Sequence, residues 1–164
     1  MAQTQRQATD AQIYKLWLSK VHDNRYLRPQ RWAELLKVIE KFRVKTVIEF
    51  GCGVSTLLMG HRGIRVDTYE TDPFYLDFVK SLNPPNVLFH LHNNVNIDVS
   101  GTYDMALVDG VLPRQPQLKA VLPLTRLIAI DDFGPLYKRE LVPLLGNHTR
   151  LNPGAPLMAI FKIE

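Results

Sequence analysis

Cysteine occurs once in the 164 residues, at Cys52, so an internal disulfide is excluded and a reducing, cytoplasmic setting is expected. Long apolar runs are missing too. The longest are strand-sized, well short of a bilayer span, and no membrane partner is expected. The opening "MAQTQRQATDAQ" lacks the apolar core of a secretory signal. No internal repeat or low-complexity segment breaks the chain, which reads as a loose arm over 1–10 followed by a single domain over 11–164. Concentrated charge is also absent. The net charge is +4 and the pI about 9.3, yet the basic residues are spread out, with small clusters at "RYLRPQR" (Arg25, Arg28, Arg31) and at Lys138-Arg139. A nucleic-acid binder concentrates its charge on one face beside exposed aromatics, so nucleic acid is not the favoured partner.

What is present is a globular composition, 46% hydrophobic against 22% charged, on a chain long enough to bury a core unaided. The periodicity alternates. "AQIYKLWLSKVH" from Ala11 has helical spacing, with Ile13, Leu16, Trp17 and Val21 on one face. Pro29 suits the first turn of a second helix with the stripe Trp32, Leu35, Leu36 and Ile39. Then come "KTVIEF", a helix from about Ser55, "RVDTYE", a helix over "PFYLDFVKSL", "NVLFHLH" and "YDMALVD". A helix over "QPQLKAVLPL" is broken or ended at Pro123, "RLIAIDD" is a buried strand, and "LYKRELVPLL" another helix. "HTRLNPGAPLMAIFKIE" reads as two strands around a Pro/Gly/Pro turn. The expected fold class is α/β: a Rossmann-like, mostly parallel sheet with helices on both faces and an antiparallel C-terminal strand pair, an α/β/α sandwich.

In such sheets ligands bind beyond the C-terminal strand ends, where strand order reverses. The residues there are Glu49 and Gly51, Glu70 and Asp72, Asn93 and Asn94, Asp109, and Asp131 with Asp132. Five successive strands therefore end in acids or amides, a pattern that chance acids on solvated faces do not produce. "VIEFGCGVST" places a glycine turn between the first strand and its helix. A dinucleotide fingerprint needs a third glycine where this chain has Thr56, and a pyrophosphate on the helix N-terminus wants that tight geometry. A cofactor without phosphates tolerates the threonine. Glu70, about twenty residues on, can accept hydrogen bonds from both ribose hydroxyls.

Four segments in this order, "VIEFGCGVST", "YETDP", "YDMALVDG" and "LIAIDDF", resemble class I S-adenosylmethionine-dependent methyltransferases, and most of all their compact O-methyltransferase-like members, over nearly everything from Arg28 onward. The resemblance implies methyl transfer from S-adenosyl-L-methionine to oxygen or nitrogen of an unidentified acceptor, leaving S-adenosyl-L-homocysteine. It implies that Gly51 and Gly53, with Cys52, Ser55 and Thr71 beside them, let backbone approach the cofactor, that Glu49 lies near its amino-acid end, that Glu70 holds the ribose, and that Asn93 or Asn94 lies near the adenine. Asp109 faces the methyl group or the acceptor, and Asp131 stands with it as a catalytic candidate. Glu49 has a structural alternative, tying the loop to a neighbouring helix, and Asn93 and Asn94 have one in turn formation. Asp109, Asp131 and Asp132 stand where metal-dependent relatives hold a divalent ion, and magnesium suits such oxygens. "DGVLPRQPQ" lacks the lysine or histidine that often follows the fourth-strand acid in those relatives, so a metal is not favoured.

About 135 residues of catalytic fold leave little for a cap, and a small-molecule acceptor is expected. The Trp17 helix and the turn around "RYLRPQR" could supply a lid or simply pack on the sheet, and a second subunit could supply a wall. Two alternatives stand beside the enzyme. One is a non-catalytic methyltransferase-like domain that binds the cofactor, its product or a protein partner. The other is an NAD oxidoreductase, disfavoured by Thr56 and by the lack of a Tyr-x-x-x-Lys pair.

Overall fold

A computed structural model describes residues 8–21, 26–93, 97–111, 113–155 and 157–164. The first helix, α1 (Asp10–Lys20), starts one residue before the expected Ala11 because Thr9 caps it, exchanging hydrogen bonds with Gln12 in a capping box. Asp10, assigned by sequence to the arm, is thus part of the fold. Its carboxylate accepts from Trp32 Nε1 at 2.8 Å and from Arg62 Nη2 at 2.7 Å. Burial works against that charge, but these bonds overcome it and hold Asp10 below the usual carboxylate range.

Helix α2 (Pro29–Phe42) carries Pro29 in its first turn and ends on Arg43 in a left-handed cap. The alternation follows: β1 (Thr46–Phe50), α3 (Val54–His61), β2 (Arg65–Glu70), α4 (Pro73–Ser81), β3 (Val87–Leu91), β4 (Met105–Val108), α5 (Gln115–Val121), β5 (Leu127–Ile130) and α6 (Pro135–Leu141). Helix α5 ends two residues before Pro123. The expected helix over "LYKRELVPLL" divides at Leu141, and the chain continues as a 3-10 turn over Val142–Leu145, consistent with Pro143, which lacks an N–H for the α-helical ladder. Strands β6 (His148–Arg150) and β7 (Ala159–Ile163) close the chain.

Sheet order is β3-β2-β1-β4-β5-β7-β6. Strands β1 to β5 are parallel, and β7 runs antiparallel to both β5 and β6. Strand order reverses between β1 and β4, which defines the switch point. Alternation along each buried strand divides the core in two. Val47, Val66, Leu107 and Ile160 meet α1 to α4 on one face, while Ile48, Phe50, Val108 and Ile130 meet α5 and α6 on the other. All the β1–β5 acids discussed below, Asp104 apart, follow from this frame, since they stand on or just beyond the C-terminal strand ends. Among the described residues no helix is long and apolar enough to cross a membrane.

Candidate active site

The switch point is built on Gly51. Its φ is +89°, and a Cβ there would lie 2.9 Å from the Asp109 carbonyl oxygen, so only glycine lets β1 turn while touching the end of β4. Gly53 differs. A Cβ on it would meet nothing closer than the Trp17 ring and the Tyr75 hydroxyl at 3.8 Å, which is ordinary contact. Trp17 is fully buried and packs edge-on against Phe78 and Tyr75. Of the two roles open to the Trp17 helix, the structure shows packing over the glycine loop. The other lid candidate overlaps residues 22–25, which lie outside the described residues.

Glu49, with no exposed surface, accepts from Ser55 Oγ and Thr56 Oγ1, each at 2.5 Å. Thr56 Oγ1 in turn accepts from Gly53 N–H at 2.8 Å. Glu49 therefore ties the loop to the start of α3, which is the structural alternative the sequence left open. Burial pushes its pKa up to about 7, against the pull of those hydroxyl bonds. Ser55 is committed to the same tie.

Glu70 lies on the other side of the loop, at the end of β2. One oxygen accepts from Cys52 N–H at 3.2 Å, and the other from Thr71 and Asp72 N–H at 2.7 and 3.0 Å. The Cys52 thiol touches the same carboxylate at 3.6 Å, and burial beside two acids pushes the thiol far up. Cys52 is thus a small loop residue with no thiolate character. Asn93 is exposed just beyond β3, and Asn94 lies outside the described residues.

Across the switch point stand Asp109, Asp131 and Asp132. Asp109 is pushed up by burial and by the Asp131 carboxylate, with Arg114 opposing. Asp131 is also raised, burial outweighing its pairing with Arg31. Its Oδ1 is buried without a hydrogen-bond partner. The Asp109 side chain keeps 24% of its surface open and the Asp131 side chain 3%, so of this pair Asp109 is the one a ligand can reach. Arg114, itself buried, ties the loop after β4 to the loop after β5. It donates to the Gly110 and Asp131 carbonyls and reaches Asp109 Oδ1 at 3.3 Å, with the Tyr137 ring 4.8 Å from its guanidinium carbon.

Sequence reasoning missed Arg31. From the first turn of α2, its Nη1 reaches Asp131 at 2.8 Å and Asp132 at 2.6 Å. Carboxylate oxygens of Asp109, Asp131 and Asp132 lie within 4.8 Å of one another, an oxygen set that could suit magnesium in number and charge. It does not fit in detail, because a guanidinium nitrogen already lies between two of the three. Arg31 also lines a groove of about 750 Å³ between the start of α2 and the β6–β7 loop, together with Arg28, Glu34, Asn152, Leu157 and Met158. Asn152 braces that loop through the Met158 carbonyl and the Ile160 N–H. The loop is pinned to the site by Phe133 N–H on the Leu157 carbonyl.

No family model matches the chain, and no curated protein matches it. Solved structures do. An O-methyltransferase from Bacillus cereus in complex with S-adenosylhomocysteine superposes with a TM-score of 0.73 at 15% identity, covering 94% of this chain and 90% of that one. The N-methyltransferase NodS from Bradyrhizobium japonicum WM9, in complex with S-adenosylhomocysteine, gives 0.64 at 13% identity over 95% and 99% of the two chains. A methyltransferase-like protein from Silicibacter pomeroyi gives 0.62 at 19% identity over 85% and 88%. The fold of this chain is the Rossmann-like fold of class I methyltransferases.

Proposed function

We propose that the chain is an S-adenosylmethionine-dependent methyltransferase acting on oxygen or nitrogen of a small acceptor. The observation that carries this is the charge around the glycine loop. Carboxylates flank it from behind (Glu49), from the β2 side (Glu70) and across the switch point (Asp109), and the Thr56 hydroxyl already takes the Gly53 N–H. A pyrophosphate would meet negative charge and an amide already in use. A sulfonium and a ribose would meet the opposite: acceptors for hydroxyls and a field that favours a cation.

In this reading Glu70 accepts from the ribose, and the backbone from Gly51 to Gly53 forms the cofactor's floor. Glu49 and Ser55 act through the loop they hold. The acceptor enters from the side of the Arg31 groove and meets the methyl group at Asp109. The acceptor's lone pair forms the new bond to the methyl carbon as the carbon–sulfur bond breaks, its electron pair returning to sulfur. The acceptor's proton passes to Asp109, whose raised pKa suits the task. Alignment and exclusion of water supply much of the rate in such a displacement. Asp131 is a positioning residue here, since it holds Arg31 and raises Asp109.

The competing reading is a domain that binds the cofactor without turnover, favoured by the commitment of all three switch-point acids to arginines. The test is S-adenosylhomocysteine formation against a panel of small hydroxyl and amine acceptors. Acceptor-dependent product that Asp109→Asn abolishes supports the enzyme; binding with no turnover across the panel supports the binding domain.

A further inference from the structure

The cation among the switch-point acids is part of the chain. Arg31 stands 100 and 101 residues before the two aspartates it joins, and a single nitrogen, Nη1, serves both. It occupies the third position of α2, whose first turn contains no acid. A cation there opposes the helix macrodipole, so local preference argues against arginine at this position and the tertiary contact must compensate. Asp132 makes a similar local sacrifice. Its φ is +49°, a left-handed backbone that costs a non-glycine residue, and in it the Asp132 carboxylate shares Nη1 with Asp131. The Asp131 half of the contact is largely withdrawn from water, with 18% of the Arg31 side chain and 3% of Asp131 exposed, while the Asp132 side chain is 59% exposed.

A divalent ion binds oxygens at about 2.0–2.6 Å, so it would need the space Nη1 fills between the Asp131 and Asp132 oxygens. Entry would expel Arg31 from between both carboxylates and leave a half-buried guanidinium without these partners, an unfavourable exchange. We propose that Arg31 is the resident cation of this site, taking the place a divalent ion would occupy and making the site independent of metal. The proposal does not rest on methyl transfer, because ion binding is read directly.

The experiment titrates the full chain with MnCl2 and with MgCl2 by calorimetry. Wild type is expected to show no saturable binding in the micromolar range. Arg31→Gln uncovers the oxygens and is expected to bind Mn2+ at least about ten-fold more tightly than wild type, a gain lost again when Asp131→Asn is added. Arg31→Lys keeps a cation in place and is expected to behave as wild type. Micromolar Mn2+ binding by wild type that Asp131→Asn abolishes would overturn the proposal. So would an Arg31→Gln protein with a wild-type circular dichroism spectrum and no gain in binding. Should Arg31→Gln not fold, the wild-type and Asp131→Asn titrations decide alone.

Discussion

The two ends of the sheet use the same side chain in opposite ways. At the N-terminal end, Asp104 is exposed, and one of its oxygens accepts from the N–H groups of Lys45 and Thr46 at 2.7 and 2.9 Å and from the Thr46 hydroxyl at 3.1 Å. Its slight burial works upward, but these bonds prevail and hold its pKa below the ordinary range. At the C-terminal end, Asp109 is pushed well above that range by burial and a second carboxylate. One aspartate staples β1 to the strand beside it; the other is kept where its charge is unfavourable. Acids held at such a cost mark functional sites more often than acids that are fully served by backbone.

The sharpest way to break this contrast is at the turn that brings β1 and β4 together. Gly51→Ala is expected to lower stability by about 2–4 kcal/mol, combining a positive φ with a Cβ forced against the Asp109 carbonyl. Denaturant unfolding measures it, and a loss below half a kcal/mol would show that the switch point is not tightly built.

Matched substitutions at the two ends should then differ in sign. Asp104→Asn is expected to cost about 1 kcal/mol through the weakened amide bonds. Asp109→Asn is expected to leave stability unchanged or raise it at pH 8. A raised folded-state pKa means that the ionised carboxylate there opposes folding, and the amide removes that cost. Melting temperatures of both variants at pH 8 test the pair, and a fall in both would remove the distinction between the ends.

Glu70→Ala is expected to weaken S-adenosylhomocysteine binding by at least about 1 kcal/mol, as for a carboxylate lost from charge-assisted bonds. Asp104→Asn is expected to leave that affinity unchanged. The remaining prediction concerns Glu49. Its pKa of about 7 exceeds that of an unfolded glutamate, so its contribution to stability is complete below the ordinary carboxylate range and fades as pH rises toward and through 7. Glu49→Gln should flatten the fall of wild-type stability between about pH 4.5 and 7, and an unchanged slope would show that Glu49 does not titrate there.

Much of this contrast was legible in the sequence, because short apolar strands announce their own ends. Glu70, Asp109 and Asp131 each follow a buried run, so their shared rim needs only parallel pairing and the alternation of strand and helix. The Glu49 tie was legible as an alternative, since Ser55 and Thr56 lie six and seven residues on, within one turn of the helix that follows. Arg31 was visible only as a member of a basic cluster. Its partners lie a hundred residues away, and nothing local sets how α2 docks beside β5. The signal that could have raised it is a weak one: arginine in a helix's first turn, which itself contains no acid. The division of the last helix at Leu141 was hidden by an apolar pattern that continues through Pro143. The early start of α1 depended on reading Thr9 and Gln12 as a cap.

The central claim is that the glycine loop holds an adenosyl cofactor without phosphates, and its most direct test is calorimetric titration of the purified chain with S-adenosylhomocysteine, with NADH in parallel. The account predicts micromolar binding of the first and none of the second. Binding of NADH with no response to S-adenosylhomocysteine would contradict it.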